Sequence, residues 1–125
     1  MDDVQFTPRE LDVMSILWRL GSATVAEVKE RLEEPLAYTS VLSALQTLAE
    51  KGFVRHVAEG RAYRYFPTVE ADVAGGSALT RIREAIFAGS AASLFASLVR
   101  SEDLPREELE RMRRLLDARL EETGR

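Results

Sequence analysis

Apolar residues first recur at helical spacing after Thr7, where Leu11, Met14, Leu17 and Trp18 would share one face. Thr7-Pro8-Arg9-Glu10 has the form of a capping box with proline at the first helical position, so a helix is expected to run to Arg19 and stop at Gly21. Thr24-Val25-Ala26-Glu27 repeats the pattern and should start a second helix that buries Val25, Val28 and Leu32 and closes before Pro35. A third begins at Ala37–Thr39 and reaches Lys51, with Val41, Leu45 and Leu48 inward and Gly52 as its stop. The period then shortens. Phe53-Val54-Arg55-His56-Val57 and Ala62-Tyr63-Arg64-Tyr65-Phe66 are β-prone runs, joined by a turn at Ala58-Glu59-Gly60-Arg61, and Pro67 ends the second.

Helix, helix, helix, hairpin is the order of a winged helix-turn-helix, whose third helix enters the major groove while the hairpin reaches the neighbouring backbone or minor groove. Beyond Pro67, Gly75-Gly76-Ser77 reads as a hinge. Leu79, Ile82, Ile86 and Phe87 then suggest one helix, and Leu94, Phe95, Leu98 and Val99 another. A last one should start at Leu104-Pro105-Arg106-Glu107 and carry Leu109, Met112, Leu115, Leu116 and Leu120. This stretch is too short to enclose so many large apolar side chains by itself, and a second copy of the chain is the economical cover. The expected architecture is mainly α with a small β-hairpin. Residues 1–72 form a winged-helix DNA-binding domain and residues 73–125 a helical dimerisation region, with Ile82, Ile86, Leu94, Leu98, Leu109, Met112 and Leu116 at the dimer contact.

Composition narrows the chemistry. With no cysteine and only His56 among 125 residues, disulfides, zinc fingers, iron–sulfur clusters and histidine-rich metal sites are excluded. Met1-Asp2-Asp3 lacks the basic start of a signal peptide and no long apolar run follows, which points to a cytoplasmic protein without membrane insertion. The net charge of −4 argues against a nucleic-acid partner until it is divided by segment. Residues 1–35 carry −4 and residues 69–125 carry −2, whereas Lys51, Arg55, Arg61 and Arg64 outnumber Glu50 and Glu59 to give residues 36–68 a charge of +2. An anionic partner should meet that segment.

If Val41, Leu45 and Leu48 face inward, Thr39, Ser40, Ser43, Gln46 and Thr47 face out, with hydroxyl and amide groups suited to base edges. The same residues would also suit an ordinary polar helix face. Tyr38 lies either at the groove mouth or against the helix start. On the hairpin Arg55, Arg61 and Arg64 are the cations for phosphate, and Arg61 at the turn can fork onto two oxygens. Strand alternation lets only some of these arginines face one way, and basic residues on an exposed edge also discourage sheet-to-sheet association. His56 has no second ligand to share a metal and reads as an edge residue. No nucleophile has a partner histidine in a motif and no glycine-rich phosphate loop is present, so neither an enzyme nor a cofactor is expected.

Several short strings recur in a characteristic order: Glu10-Leu11 followed by Val13-Met14 and Leu17-Trp18; Leu36-Ala37-Tyr38-Thr39-Ser40-Val41; Leu45 and Leu48 leading into Lys51-Gly52; and Gly60-Arg61 with Tyr65 and Pro67. In that order and spacing, Phe6 to Pro67 resembles the penicillinase-repressor family of bacterial winged-helix regulators, the BlaI/MecI/CopY group. The resemblance implies a homodimeric repressor whose winged domains bind a palindromic double-stranded DNA operator and whose C-terminal helices form the dimer. By position, Thr39, Ser40 and Ser43 match groove-facing residues, and Arg61 the wing-tip arginine. In the penicillinase branch a membrane-bound sensor protease triggers cleavage within the dimerisation helices. The matching stretch is Ser97-Leu98, ahead of Glu102-Asp103-Leu104, where those repressors carry Asn-Phe. The cysteine motif of the copper-responsive branch is absent, and Gln46, Thr47 and Glu50 stand where the family often has basic residues. Two other readings fit the residues: a winged-helix protein-interaction module without DNA binding, and a regulator responsive to a small ligand held between the two parts.

Overall fold

A computed structural model describes residues 4–101 and 103–124; Met1-Asp2-Asp3 and Glu102, both used above, lie outside them. The elements run α1 (Pro8–Leu20), β1 (Ala23–Thr24), α2 (Val25–Arg31), α3 (Tyr38–Glu50), β2 (Val54–Glu59), β3 (Ala62–Pro67), α4 (Ala71–Ile86), α5 (Ala91–Ser101) and α6 (Arg106–Thr123). The three-helix and hairpin order is present with one addition. β1 pairs with β3, making a three-stranded antiparallel sheet in the order β1-β3-β2.

Local chemistry sets the helix ends. The Glu10 amide donates to Thr7 Oγ1 at 3.1 Å while the Thr7 amide donates to Glu10 Oε1 at 2.9 Å, and Thr24 and Glu27 repeat the exchange at 3.2 and 2.9 Å. Gly21 closes α1 at φ +85°, where a side chain would be strained, and its amide donates to the Leu17 carbonyl at 2.7 Å. The buried face of α1 is Glu10, Val13, Met14, Ile16 and Leu17, which corrects the expected inward set: Leu11 is 48% exposed. Each residue turns the helix by about 100°, so a face phased on Glu10 runs through Val13, Met14 and Leu17 and leaves Leu11 outside.

These residues meet Val28, Val41, Leu45, Leu48, Val54 and Tyr65 in one core. Met14, Leu17, Leu45 and Leu48 are fully buried, each contributing about 1.5–3 kcal/mol. An aromatic cluster joins the ends of this unit: Phe6 packs edge-on against Trp18 and Phe53, and Trp18 Nε1 donates to the Val69 carbonyl at 2.8 Å. The hairpin turn is tighter than expected, since β2 continues to Glu59 and only Gly60 and Arg61 separate the strands. Gly60 takes φ +63°, which suits glycine at the first position of a two-residue turn.

The chain divides into two compact units, one running to Arg81 and the other starting at Ile82, later than the 72/73 boundary read from the sequence. Gly75-Gly76-Ser77 is not a hinge, because α4 passes straight through it. Ala71, Ala74, Ala78 and Leu79 are strong helix formers that offset two glycines costing about 1 kcal/mol each. The break comes instead at Ala88 and Gly89, both at positive φ, after which Ser90 Oγ accepts from the Ser93 amide at 3.0 Å to start α5. Among the described residues α5 and α6 bury no side chain. No single helix there is long and apolar enough to cross a membrane.

Candidate nucleic-acid interface

Burial of Val41, Ala44, Leu45 and Leu48 turns the opposite face of α3 outward. Thr39, Ser43, Gln46 and Glu50 are exposed along that ridge. Two grooves flank it. One, of about 290 Å³, lies between α3 and the start of α1 and is lined by Thr7, Arg9, Glu10, Thr39, Ser40, Ser43 and Thr47. The other, of about 630 Å³, lies between α3 and the hairpin, lined by Tyr38, Leu42, Gln46, Glu50, His56, Arg61, Tyr63 and Tyr65. Each of the six polar or aromatic residues expected on α3 therefore lines one or the other of these two grooves, with Ser40 and Thr47 half-buried on the α1 side. Unlike α1 and α2, α3 carries no side chain on its first amides, its N-cap being Ala37.

The hairpin sorts the expected arginines by register. His56 opposes Tyr65 and Ala58 opposes Tyr63, so these share the face toward α3, and the His56 ring lies 4.5 Å from that of Tyr63. Arg55 opposes Phe66 and Val57 opposes Arg64 on the other face. Arg61, exposed at the turn, lines the groove beside α3 and has no ion-pair partner among the described residues. The Arg55 guanidinium sits 4.4 Å above the Phe66 ring. Arg64 is held by Glu59 at 3.0 Å and Glu27 at 3.1 Å. Its hydrogen bond to Glu59, ahead of the opposing effect of burial, pushes the guanidinium pKa up; the same bond lowers that of Glu59. Glu27 is lowered first by the Thr24 amide and then, against burial, by Arg64.

Two features of this surface are not visible in the residue pattern. Arg9, the second residue of α1, lines the groove beside Thr39 and Ser43. Lys51 is engaged within the chain, its Nζ donating to both oxygens of the buried Glu10 at 2.9 Å and so tying the end of α3 to the start of α1. Burial opposes ionisation of Glu10, yet the Thr7 amide and Lys51 outweigh it and hold the carboxyl below its usual range. The basic segment thus presents fewer free cations than its charge of +2 suggests. No group of three or more potential metal ligands occurs among the described residues.

In the second unit, Ile82, Ile86, Leu98, Leu109 and Leu116 are exposed while Leu94 and Met112 are half-buried. Ser97 and Leu98 are both exposed on α5.

A sequence model of the family described as penicillinase repressor matches residues 6–118. The chain is 44% identical over 61 residues to the transcriptional regulator BlaI of Mycobacterium tuberculosis, a match covering 46% of this chain and 44% of that protein. It spans less than half the length of that relative. It is 25% identical over 119 residues to the penicillinase repressor of Bacillus licheniformis, covering 90% of each. Among solved structures, the DNA-binding domain of the repressor BlaI superposes with a TM-score of 0.51 at 28% identity, covering 56% of this chain and 88% of that one.

Proposed function

The chain belongs to the penicillinase repressor family, and on that footing we propose that it represses transcription as a homodimer bound to a palindromic DNA operator. The observation that carries the proposal is the exposed ridge of Thr39, Ser43 and Gln46 on α3, with Arg9 lining the groove on one side of it and Arg61 the groove on the other. A helix of this width fits the major groove, where serine, threonine and glutamine can bond base edges. Arg61 meets the phosphate backbone beside it, as do the unblocked first amides of α3. The Bacillus licheniformis relative named as a penicillinase repressor, matched over 90% of its length, supports the same reading.

Two observations support dimerisation. Two helices without a single buried side chain require an apolar partner, and a second copy presents the matching face. With Lys51 and Arg64 engaged internally, one winged domain has few cations for DNA, so two linked half-sites supply the affinity that neither has alone. The protein acts in the cytoplasm, where an inducing signal releases the operator. Ser97-Leu98 on α5 is the candidate cut for a membrane sensor protease, placed where cleavage would weaken the dimer. Footprinting of the protein on its own promoter should reveal two protected half-sites with centres about 10 base pairs, or a multiple of that, apart. Absence of any protected site in promoter DNA would refute the proposal.

Two substitutions separate positioning from reading. Arg61→Ala should weaken binding to every duplex alike and lower the salt slope by about 1. A change in sequence preference would contradict its assignment to phosphate. Ser43→Ala should cost about 1–3 kcal/mol on the operator and much less on unrelated DNA, and equal affinity for the operator would remove Ser43 from the interface.

A further inference from the structure

We propose that Arg64 is a positioning residue: it latches the wing to the body of the domain so that Arg61 is held at the DNA, and does not itself touch DNA. This rests on the DNA-binding reading above. Its basis is where Arg64 sits in the sheet. β1 supports β3 only at Ala23↔Tyr65 and Thr24↔Arg64. From Arg64 outward the hairpin is a two-stranded ribbon, a form with wide freedom to twist and little stability of its own. Arg64 is thus the last residue of β3 with a strand on both sides, opposite Thr24 in β1 and Val57 in β2.

From that position its guanidinium reaches both sides of the junction. Nε and Nη2 donate to the two oxygens of Glu59 at 3.0 Å each, on the outgoing ribbon. Nη1 donates to Ser22 Oγ at 3.3 Å and Glu27 Oε1 at 3.1 Å, on the corner between α1 and α2. That Glu27 oxygen also accepts from the Thr24 amide at 2.9 Å, so the wing is fastened to the capping box of α2. Four donor contacts in a fixed fork are a demand that arginine meets and lysine does not. The contacts also use the donors that a phosphate would need, on the sheet face opposite His56, Tyr63 and α3.

The test compares Arg64→Ala with the double variant Glu27→Gln/Glu59→Gln. Glutamine at position 27 keeps Oε1 for the Thr24 amide but removes the charge that pairs with Arg64. Glutamine at position 59 replaces one of the two oxygens facing the guanidinium with an NH2 group that cannot accept, so the double variant breaks the two-pronged contact and weakens the other. Amide hydrogen exchange in residues 57–63 without DNA, and duplex binding across a salt series, are read for both. A latch predicts the same sign from removing either partner: faster exchange in the wing and severalfold weaker binding in both variants, with the salt slope of Arg64→Ala unchanged. A phosphate contact predicts opposite signs. Arg64→Ala would then lower the slope by about 0.9, and the double variant would bind more tightly because acidic neighbours are gone. Tighter binding by the double variant, or unchanged exchange in either, overturns the proposal. If wild-type protein binds no duplex, the DNA reading fails, and the exchange data still decide the latch.

Discussion

Exchanging Leu98 and Leu116 together for glutamate leaves a monomer that binds the operator more weakly by about two orders of magnitude or more. Both side chains are about half exposed in the single chain, at 46% each, so the substitutions remove no contact from the winged-helix core. In the dimer each would carry an unpaired carboxylate into an apolar contact, where desolvation is not repaid. Sedimentation reads the assembly, and circular dichroism should show native helix content in the DNA-binding unit. The affinity loss comes from linkage: without a tether the second half-site is occupied from bulk concentration. A double variant that still sediments as a dimer contradicts the assignment of these helices.

The second large effect concerns the joint between α1 and α3. Lys51→Ala should destabilise the winged domain by about 1–3 kcal/mol, the cost of leaving a buried group short of its partner. Glu10 is 4% exposed while the Lys51 side chain is 40% exposed, which keeps the effect below that of breaking a fully enclosed pair. The variant also changes acid behaviour. In the wild type the Glu10 pKa is lower folded than unfolded, so its stabilisation is complete above the ordinary glutamate value and is lost as pH falls through the folded one. Without Lys51 the folded value rises, and unfolding should begin at a higher pH. Melting temperature followed from neutral pH downward reads both effects. Curves that coincide for variant and wild type would show that the pair contributes nothing. DNA binding should suffer as well, because Glu10 lines the same groove as Arg9, Thr39 and Ser43 and loses its anchor to the end of α3.

How much of this could be read from residues alone depended on the distance over which each choice is made. Thr7 with Glu10 and Thr24 with Glu27 are exchanges three residues apart, and Gly21 and Gly60 mark positive φ within single turns. Those features, the exposure of Thr39, Ser43 and Gln46 on α3 and the hairpin are legible for that reason, whereas Ser40 and Thr47 are half-buried because α1 packs beside them. β1 was not: two residues carry no periodicity, and Ala23-Thr24 becomes a strand only because β3 lies beside it. The phase of α1 is not visible in its apolar residues alone, because the buried face includes Glu10, whose partner Lys51 lies 41 residues away. Arg64 and Arg55 were grouped with Arg61 because all three are cations on one hairpin. Register puts Arg55 and Arg64 on the sheet face opposite His56 and Tyr63, and Glu27, 37 residues from Arg64, accepts a hydrogen bond from it. Arg9 has no local signal at all, since its neighbour Thr39 is brought to it by the core. The glycine pair in α4 failed as a hinge for the converse reason: nothing near Gly75 or Gly76 demands positive φ, and neither carries it. Glu10, Lys51, Gly60 and Tyr65, which carry the family resemblance, hold the ion pair, the turn and part of the core, while Arg61 has no ion-pair partner among the described residues.

The central claim is that a chain of net charge −4 binds DNA through a small set of unpaired cations, doubled by dimerisation. Affinity of the full chain for its promoter DNA, measured over a series of salt concentrations, tests it most directly. Counterion release predicts that log affinity falls linearly with log salt, by roughly 0.9 for each phosphate contacted, with a slope about halved in the Leu98→Glu/Leu116→Glu monomer. A flat response, or the same slope in monomer and dimer, would contradict the account.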